Sequence, residues 1–157
     1  MKISRCLGEK ERADAVERAQ TLAREHFLGG FNCAESSFWG VSQALGLPMN
    51  HELMRVGTAF GGGIGGCKST CGALSGAIMA VGLALGRTSP DAEEKRIAYR
   101  AAKTVYDGFV SNLKSDACRD LNPAGFDWPG LREHCAAFVT LAARLAVLAL
   151  TSDEVGG

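Results

Sequence analysis

Cys33 follows Asn32 and precedes Glu35, and Cys71 closes the run Gly61-Gly62-Gly63-Ile64-Gly65-Gly66-Cys67-Lys68-Ser69-Thr70. Asparagine followed three residues later by glutamate is a capping box, so Cys33 is expected in the first turn of a helix. Ser69 or Thr70 is expected to cap a later helix, which puts Cys71 in a first turn as well. A thiol there faces unsatisfied N–H groups and the positive end of the helix dipole, and both favour thiolate, the form that attacks disulfides and binds metals. The dipole supplies about 0.3–1 kcal/mol, ~2 at best. That lowers a thiol pKa by less than roughly 1.5 from about 8.5, so partial ionisation near neutral pH is the expectation. A more acidic thiol needs help from Lys68, Arg119 or a metal.

A backbone this bare of side chains costs folding entropy and makes sense where something must come very close to it. Gly63, Gly65, Gly66 and Gly72 are therefore the expected positions for the approach of a cofactor, a small substrate or a partner's backbone. Gly61-x-Gly63-x-x-Gly66 matches a dinucleotide fingerprint in letters only, because a helix and not a strand is expected before it. The Cys67-x3-Cys71 spacing suits a relaxed disulfide poorly if both residues lie in a regular helix, since such Cβ atoms are about 5–6 Å apart against roughly 3.5–4.5 Å required. The same spacing falls within the range of zinc-binding pairs.

The elements that must position these residues read as helices. Glu9 to Phe27 is amphipathic and stops at Gly29-Gly30. The helix of Cys33 buries Ala34, Phe38, Val41 and Leu45, and Asn50 caps a short one reaching Phe60. The helix of Cys71 carries a stripe of Leu74, Ala77, Ile78, Val81 and Leu85. Its Gly72, Gly76 and Ala80 recur every four residues, so one face lacks bulk, and the Cys33 helix is expected to pack there and bring Cys33 towards Cys71. Ser89-Pro90-Asp91, a cap with proline expected at the first helical position, starts a long helix striped by Ile97, Ala98, Ala101, Val105, Phe109 and Leu113. An irregular connection holds Cys118, Asn122-Pro123, Phe126, Trp128 and Pro129-Gly130, with the two aromatics expected to anchor it. A last helix from near Leu131 presents Leu131, Cys135, Phe138, Ala142, Leu145 and Ala149 on one face. His134 is expected at the surface, a quarter turn from Cys135. No segment alternates with period two, so the fold class is all-α: one domain over 1–157, a bundle of five to six helices with a glycine-rich loop before a cysteine-capped helix.

Lysine plus arginine and aspartate plus glutamate each total 17, a zero net charge that offers no field for nucleic acid. The N-terminus runs into Gly8-Glu9-Lys10-Glu11-Arg12 without the apolar stretch of a secretory signal, so a cytoplasmic location is expected. Ala136 to Leu150, the most apolar stretch, falls short of the roughly 20 residues of a membrane span and contains Arg144, so it is expected to be a core helix. Six cysteines, Cys6, Cys33, Cys67, Cys71, Cys118 and Cys135, in a reducing compartment favour redox or metal chemistry over static crosslinks.

Asn32-Cys33-Ala34-Glu35, the glycine run, Cys71-Gly72-Ala73-Leu74-Ser75-Gly76 as a CGAxxG core and the two later cysteines together resemble the family named for its C_GCAxxG_C_C pattern. The resemblance runs from about Asn32 to Cys135. It implies a small helical protein, redox active through Cys33, Cys71, Cys118 and Cys135, with Cys6 and Cys67 additional. Three functions follow as expectations. The first is thiol–disulfide exchange or electron transfer, the work of a thiol–disulfide oxidoreductase, in which a Cys33 or Cys71 thiolate attacks a small disulfide or a redox partner. The second is a zinc or iron–sulfur site held by three or four of Cys33, Cys67, Cys71, Cys118 and Cys135. The third is a non-catalytic scaffold subunit or homo-oligomer that uses the small-residue face.

Overall fold

The computed structural model describes residues 7–152, and Cys6 lies outside them. Among the described residues the chain is helical: α1 (Glu9–Leu28), α2 (Cys33–Ala44), α3 (His51–Val56), α4 (Gly72–Leu85), α5 (Ala92–Leu113), α6 (Cys118–Leu121) and α7 (Leu131–Thr151). Five of these are long. The two short ones, α3 and α6, take the count past the expected five to six, and α3 continues as a 3-10 turn over Gly57–Phe60.

The start signals act as read at α2 and α3, and α5 starts later than Ser89-Pro90 implied. The Asn32 carboxamide accepts from the Glu35 amide at 2.9 Å while the Glu35 carboxylate accepts from the Asn32 amide at 2.8 Å. Asn50 and Asp91 cap α3 and α5 by accepting from Leu53 and Glu94 at 2.8 and 2.7 Å. Pro90 therefore lies ahead of the cap and not at the first helical position. At α4 the expected cap is wrong. Thr70 pairs instead with Ala117 in an isolated antiparallel bridge, and Cys71 is itself the N-cap.

Volume decides how α2 sits. A Cβ placed on Gly76 would lie 2.1 Å from the Ala34 carbonyl oxygen and 2.4 Å from Ser37 Oγ, so α4 and α2 touch backbone to backbone there. Ser37 Oγ donates to the Ala73 carbonyl at 2.8 Å and closes the contact with a buried hydrogen bond. On the other side of α2, a Cβ on Gly40 would lie 2.8 Å from the Ala19 carbonyl oxygen, which seats α2 against α1.

α7 is the central element, in contact with α1, α2, α4 and α5. Its expected single stripe is too narrow. Phe138, Ala142 and Ala149 are buried as read, but so are Ala136, Val139, Ala143, Ala146, Val147 and Leu150, because neighbours cover it on several sides. At 21 residues it is also longer than the apolar stretch suggested, and it has the length and composition of a membrane-crossing helix. Leu74 on α4, Val41 on α2 and Val105 and Phe109 on α5 complete the core.

Candidate functional site

The glycine run folds back on itself and is fastened to the segment before α6. The Cys71 amide donates to the Asp116 carbonyl at 2.7 Å, the Cys118 amide to Ser69 at 2.6 Å and the Arg119 amide to Lys68 at 3.1 Å. Gly63 adopts a φ of +71°, and a Cβ on it would be 2.7 Å from the Cys118 Cβ, so only glycine lets the loop and Cys118 occupy this space. On the opposite side, a Cβ on Gly72 would lie 2.4 Å from Cys33 Sγ. The α2 start thus rests directly on the α4 start, which brings Cys33 to the residue that follows Cys71.

Cys33, Cys71, Cys118 and Cys135 line one cavity of about 270 Å³. Phe27, Phe126, Leu131 and Phe138 supply apolar wall, and Asn32, Asn122 and Arg132 supply polar atoms. Cys71 and Cys118 are buried, Cys33 and Cys135 are half-buried, and all four are free thiols.

Burial controls the electrostatics. It pushes the Cys71 thiol up to about 12, and negative charge on Cys33 adds to the effect. The amides of Ala73 and Leu74 pull the other way without closing a capping hydrogen bond to the sulfur. The expected partial ionisation of Cys71 is therefore overturned: desolvation of a side chain only 4% exposed outweighs the helix start. Cys135 is pushed up to about 11 by burial, then by charge on Cys33 and Cys118, with Arg132 opposing. Cys118 is also raised, chiefly by burial, while Asn122 and Lys68 act downward. Of the two expected cationic helpers, Lys68 therefore acts on Cys118, and Arg119 is not among the causes at any of these three thiols.

These thiols are held protonated more firmly in the folded chain than in the unfolded one, so above about pH 9 the fold retains more protons than the unfolded chain does. Stability from this source is complete below about pH 9 and is lost as pH climbs through about 11 and 12. A melting temperature that falls above pH 9, and falls less steeply in Cys71→Ala, is the expected result of thermal unfolding across that range.

Asn32 holds the Cys33 end of the site. Besides the capping box, its Nδ2 donates to the Thr58 carbonyl at 2.9 Å, and the Thr58 hydroxyl donates to Glu35 at 2.5 Å. Asn32→Ala removes the cap and the tie to the 3-10 turn together, at an expected cost of about 1–2 kcal/mol in chemical denaturation.

Three residues of the site were not legible as such. Asn122 had only the look of loop punctuation before Pro123, yet it is 5% exposed and touches two thiols. Its Nδ2 donates to the Cys118 carbonyl at 3.1 Å and to Cys118 Sγ at 3.5 Å, and its Oδ1 accepts from Cys135 Sγ at 3.3 Å. Arg132 stacks over Phe27 at 4.4 Å and reaches the cavity from the first turn of α7, three residues before Cys135, a spacing that does place them on one face. Phe126 is a cavity wall with Lys68 Nζ 5.1 Å above its ring, not only an anchor of the connection.

Other expected residues are not brought into the cavity. Cys67 is exposed on the loop while the Cys71 side chain turns inward, so the two do not form a pair. Gly65 and Gly66 have open space where a side chain would be, and Gly62 lines the cavity instead. His134 is half-buried and not at the surface, with Nε2 2.7 Å from the Leu121 carbonyl and its ring against Trp128 and Phe138. Among the described residues no group of three or more histidine, cysteine, aspartate or glutamate side chains is placed to hold a metal ion.

An uncharacterized protein of Archaeoglobus fulgidus is 31% identical over 150 residues, covering 90% of this chain and 99% of the relative. No solved structure matches the chain. Residues 31–148, which contain all four cavity cysteines, match the family described as "Putative redox-active protein (C_GCAxxG_C_C)". With that match spanning most of its length, the chain belongs to the C_GCAxxG_C_C family.

Proposed function

We propose that the chain carries out thiol–disulfide exchange on a small, largely apolar disulfide, with Cys33 as the attacking thiolate and Cys71 as the resolving thiol. The observation that carries this reading is the shared cavity, in which Cys33 stands half-exposed at the start of α2 while its three neighbours are kept protonated.

Cys33 gives its proton to solvent, and its sulfur attacks one sulfur of the substrate. The substrate S–S bond breaks, a mixed disulfide forms, and the first substrate thiolate leaves and takes a proton. Cys71 then attacks Cys33 Sγ, and its proton goes to the second departing thiolate. Two electrons have passed from the Cys33 and Cys71 thiols to the substrate, which leaves as two thiols. A high pKa suits Cys71 to this role, since it remains a thiol until the mixed disulfide lies beside it. The aromatic wall offers the substrate apolar contact.

Thiol counting on the reduced protein after treatment with one equivalent of a small aromatic disulfide tests the reading. Loss of two thiols per chain, restored by dithiothreitol and unaffected by Cys67→Ser, is expected. Loss that disappears in Cys67→Ser would place the chemistry on the exposed loop and overturn it.

A further inference from the structure

Asn122 spends both ends of one buried carboxamide on two thiols from different helices, an arrangement the exchange at Cys33 and Cys71 does not use. The Cys118 carbonyl accepts from Nδ2, so the amide cannot turn over without setting two oxygens against each other. The N–H end therefore faces the Cys118 sulfur, where it favours negative charge, and the oxygen end accepts from Cys135 Sγ, so one carboxamide fixes both sulfurs. Cys118 is 5% exposed, so an external oxidant meets it through the cavity. Negative charge on Cys33 acts on both thiols, which places them within its electrostatic reach. The backbone clamp between the glycine loop and residues 116–119 sets Cys118 beside Cys71.

We propose that Cys118 and Cys135 form a second dithiol that reduces the Cys33–Cys71 disulfide inside the cavity, with Asn122 as the positioning residue. The inference rests on the exchange reading above. Cys118 thiolate attacks Cys71 Sγ, the Cys33–Cys71 bond breaks, and Cys33 leaves as thiolate and takes a proton. Cys135 then attacks Cys118 Sγ and releases Cys71, which receives the Cys135 proton. Two electrons and two protons have moved from the second pair to the first, and one disulfide has replaced another with no outside reductant. The cavity then stores four electrons per chain where a single dithiol stores two, and the oxidised state can be lodged on the pair that includes the deeply buried Cys118.

Reduced protein given one equivalent of 2-hydroxyethyl disulfide, quenched at intervals by alkylation and mapped by peptide mass spectrometry, tests the relay. The Cys33–Cys71 disulfide is expected first, followed by Cys118–Cys135 as Cys33 and Cys71 become alkylatable again. In a background without Cys6 and Cys67, Cys33→Ser should slow formation of Cys118–Cys135 at least about tenfold, because only the poorly ionised cavity thiols then meet the oxidant. Asn122→Asp places a carboxylate against both thiols and should move the pH profile of the second phase upward relative to the first, whereas a merely structural Asn122 would leave the two profiles in register. A Cys33–Cys71 disulfide that forms and persists while Cys118 and Cys135 stay reduced overturns the relay and leaves the exchange reading standing. Formation of Cys118–Cys135 at the same rate in Cys33→Ser also overturns it. If no Cys33–Cys71 disulfide forms at any time, the exchange reading fails and the relay with it.

Discussion

In a background without Cys6 and Cys67, Cys33→Ser is expected to lower the rate of disulfide exchange by about tenfold or more and to displace the pH profile of what remains towards about 11. Serine does not supply the thiolate, and the half-buried thiol left to replace it is Cys135, held up to about 11. Against the ordinary thiol value of 9.0, a pKa of about 11 reduces the thiolate present at neutral pH roughly 100-fold. The greater nucleophilicity of a more basic sulfur returns about six- to tenfold of that at a Brønsted slope of 0.4–0.5. Cys71, higher still at about 12 and buried, offers less. Stopped-flow exchange against a chromogenic disulfide from pH 6 to 11 gives both the magnitude and the displacement. A variant that retains wild-type rate and profile would show that another thiol attacks.

Gly76→Ala is expected to destabilise the fold by roughly 2 kcal/mol or more, whereas Gly82→Ala on the same helix should be neutral or stabilising. Both changes recover up to about 1 kcal/mol of helix propensity. At Gly76 the new methyl carbon would lie 2.1 Å from the Ala34 carbonyl oxygen, so α2 must move away and overpacking costs upwards of 1–3 kcal/mol. At Gly82 nothing lies within 4 Å, and only the propensity gain remains. The opposite signs separate a contact-specific effect from a general response to alanine. Displacing α2 also breaks the Ser37–Ala73 hydrogen bond and draws Cys33 off Gly72, so Gly76→Ala should lose exchange activity out of proportion to its loss of stability. Thermal melts of the two variants, with activity measured well below their melting temperatures, check both parts.

Local signals were the legible part of this fold. The Asn32–Glu35 capping box set the start of α2, and Gly72 and Gly76 identified the face on which α2 packs, because a capping hydrogen bond and a missing Cβ act over a few residues. Burial is a property of the whole assembly and was not legible. The position of Cys71 at a helix start argued for ionisation, but the surroundings that desolvate it come from several elements, and desolvation prevails. Cys67 and Cys71 illustrate the same limit: four residues apart, they end on opposite sides of the loop surface because positive φ angles at Gly65, Gly66 and Lys68 turn the chain between and around them. Asn122 carried no local signal at all. Its place between Cys118 and Cys135 depends on how α6 docks on α7, where a residue that reads as a turn becomes a buried partner to two thiols.

The central claim is that Cys33 and Cys71 are a reversible redox pair. Equilibrating the protein in glutathione buffers of graded potential, trapping it with acid and alkylation, and mapping disulfide-linked peptides measures this directly. The account predicts a peptide joining Cys33 to Cys71 whose abundance follows the imposed potential as a two-electron couple in both directions. A potential-dependent crosslink confined to Cys67, or Cys33 and Cys71 alkylated independently at every potential, would contradict it.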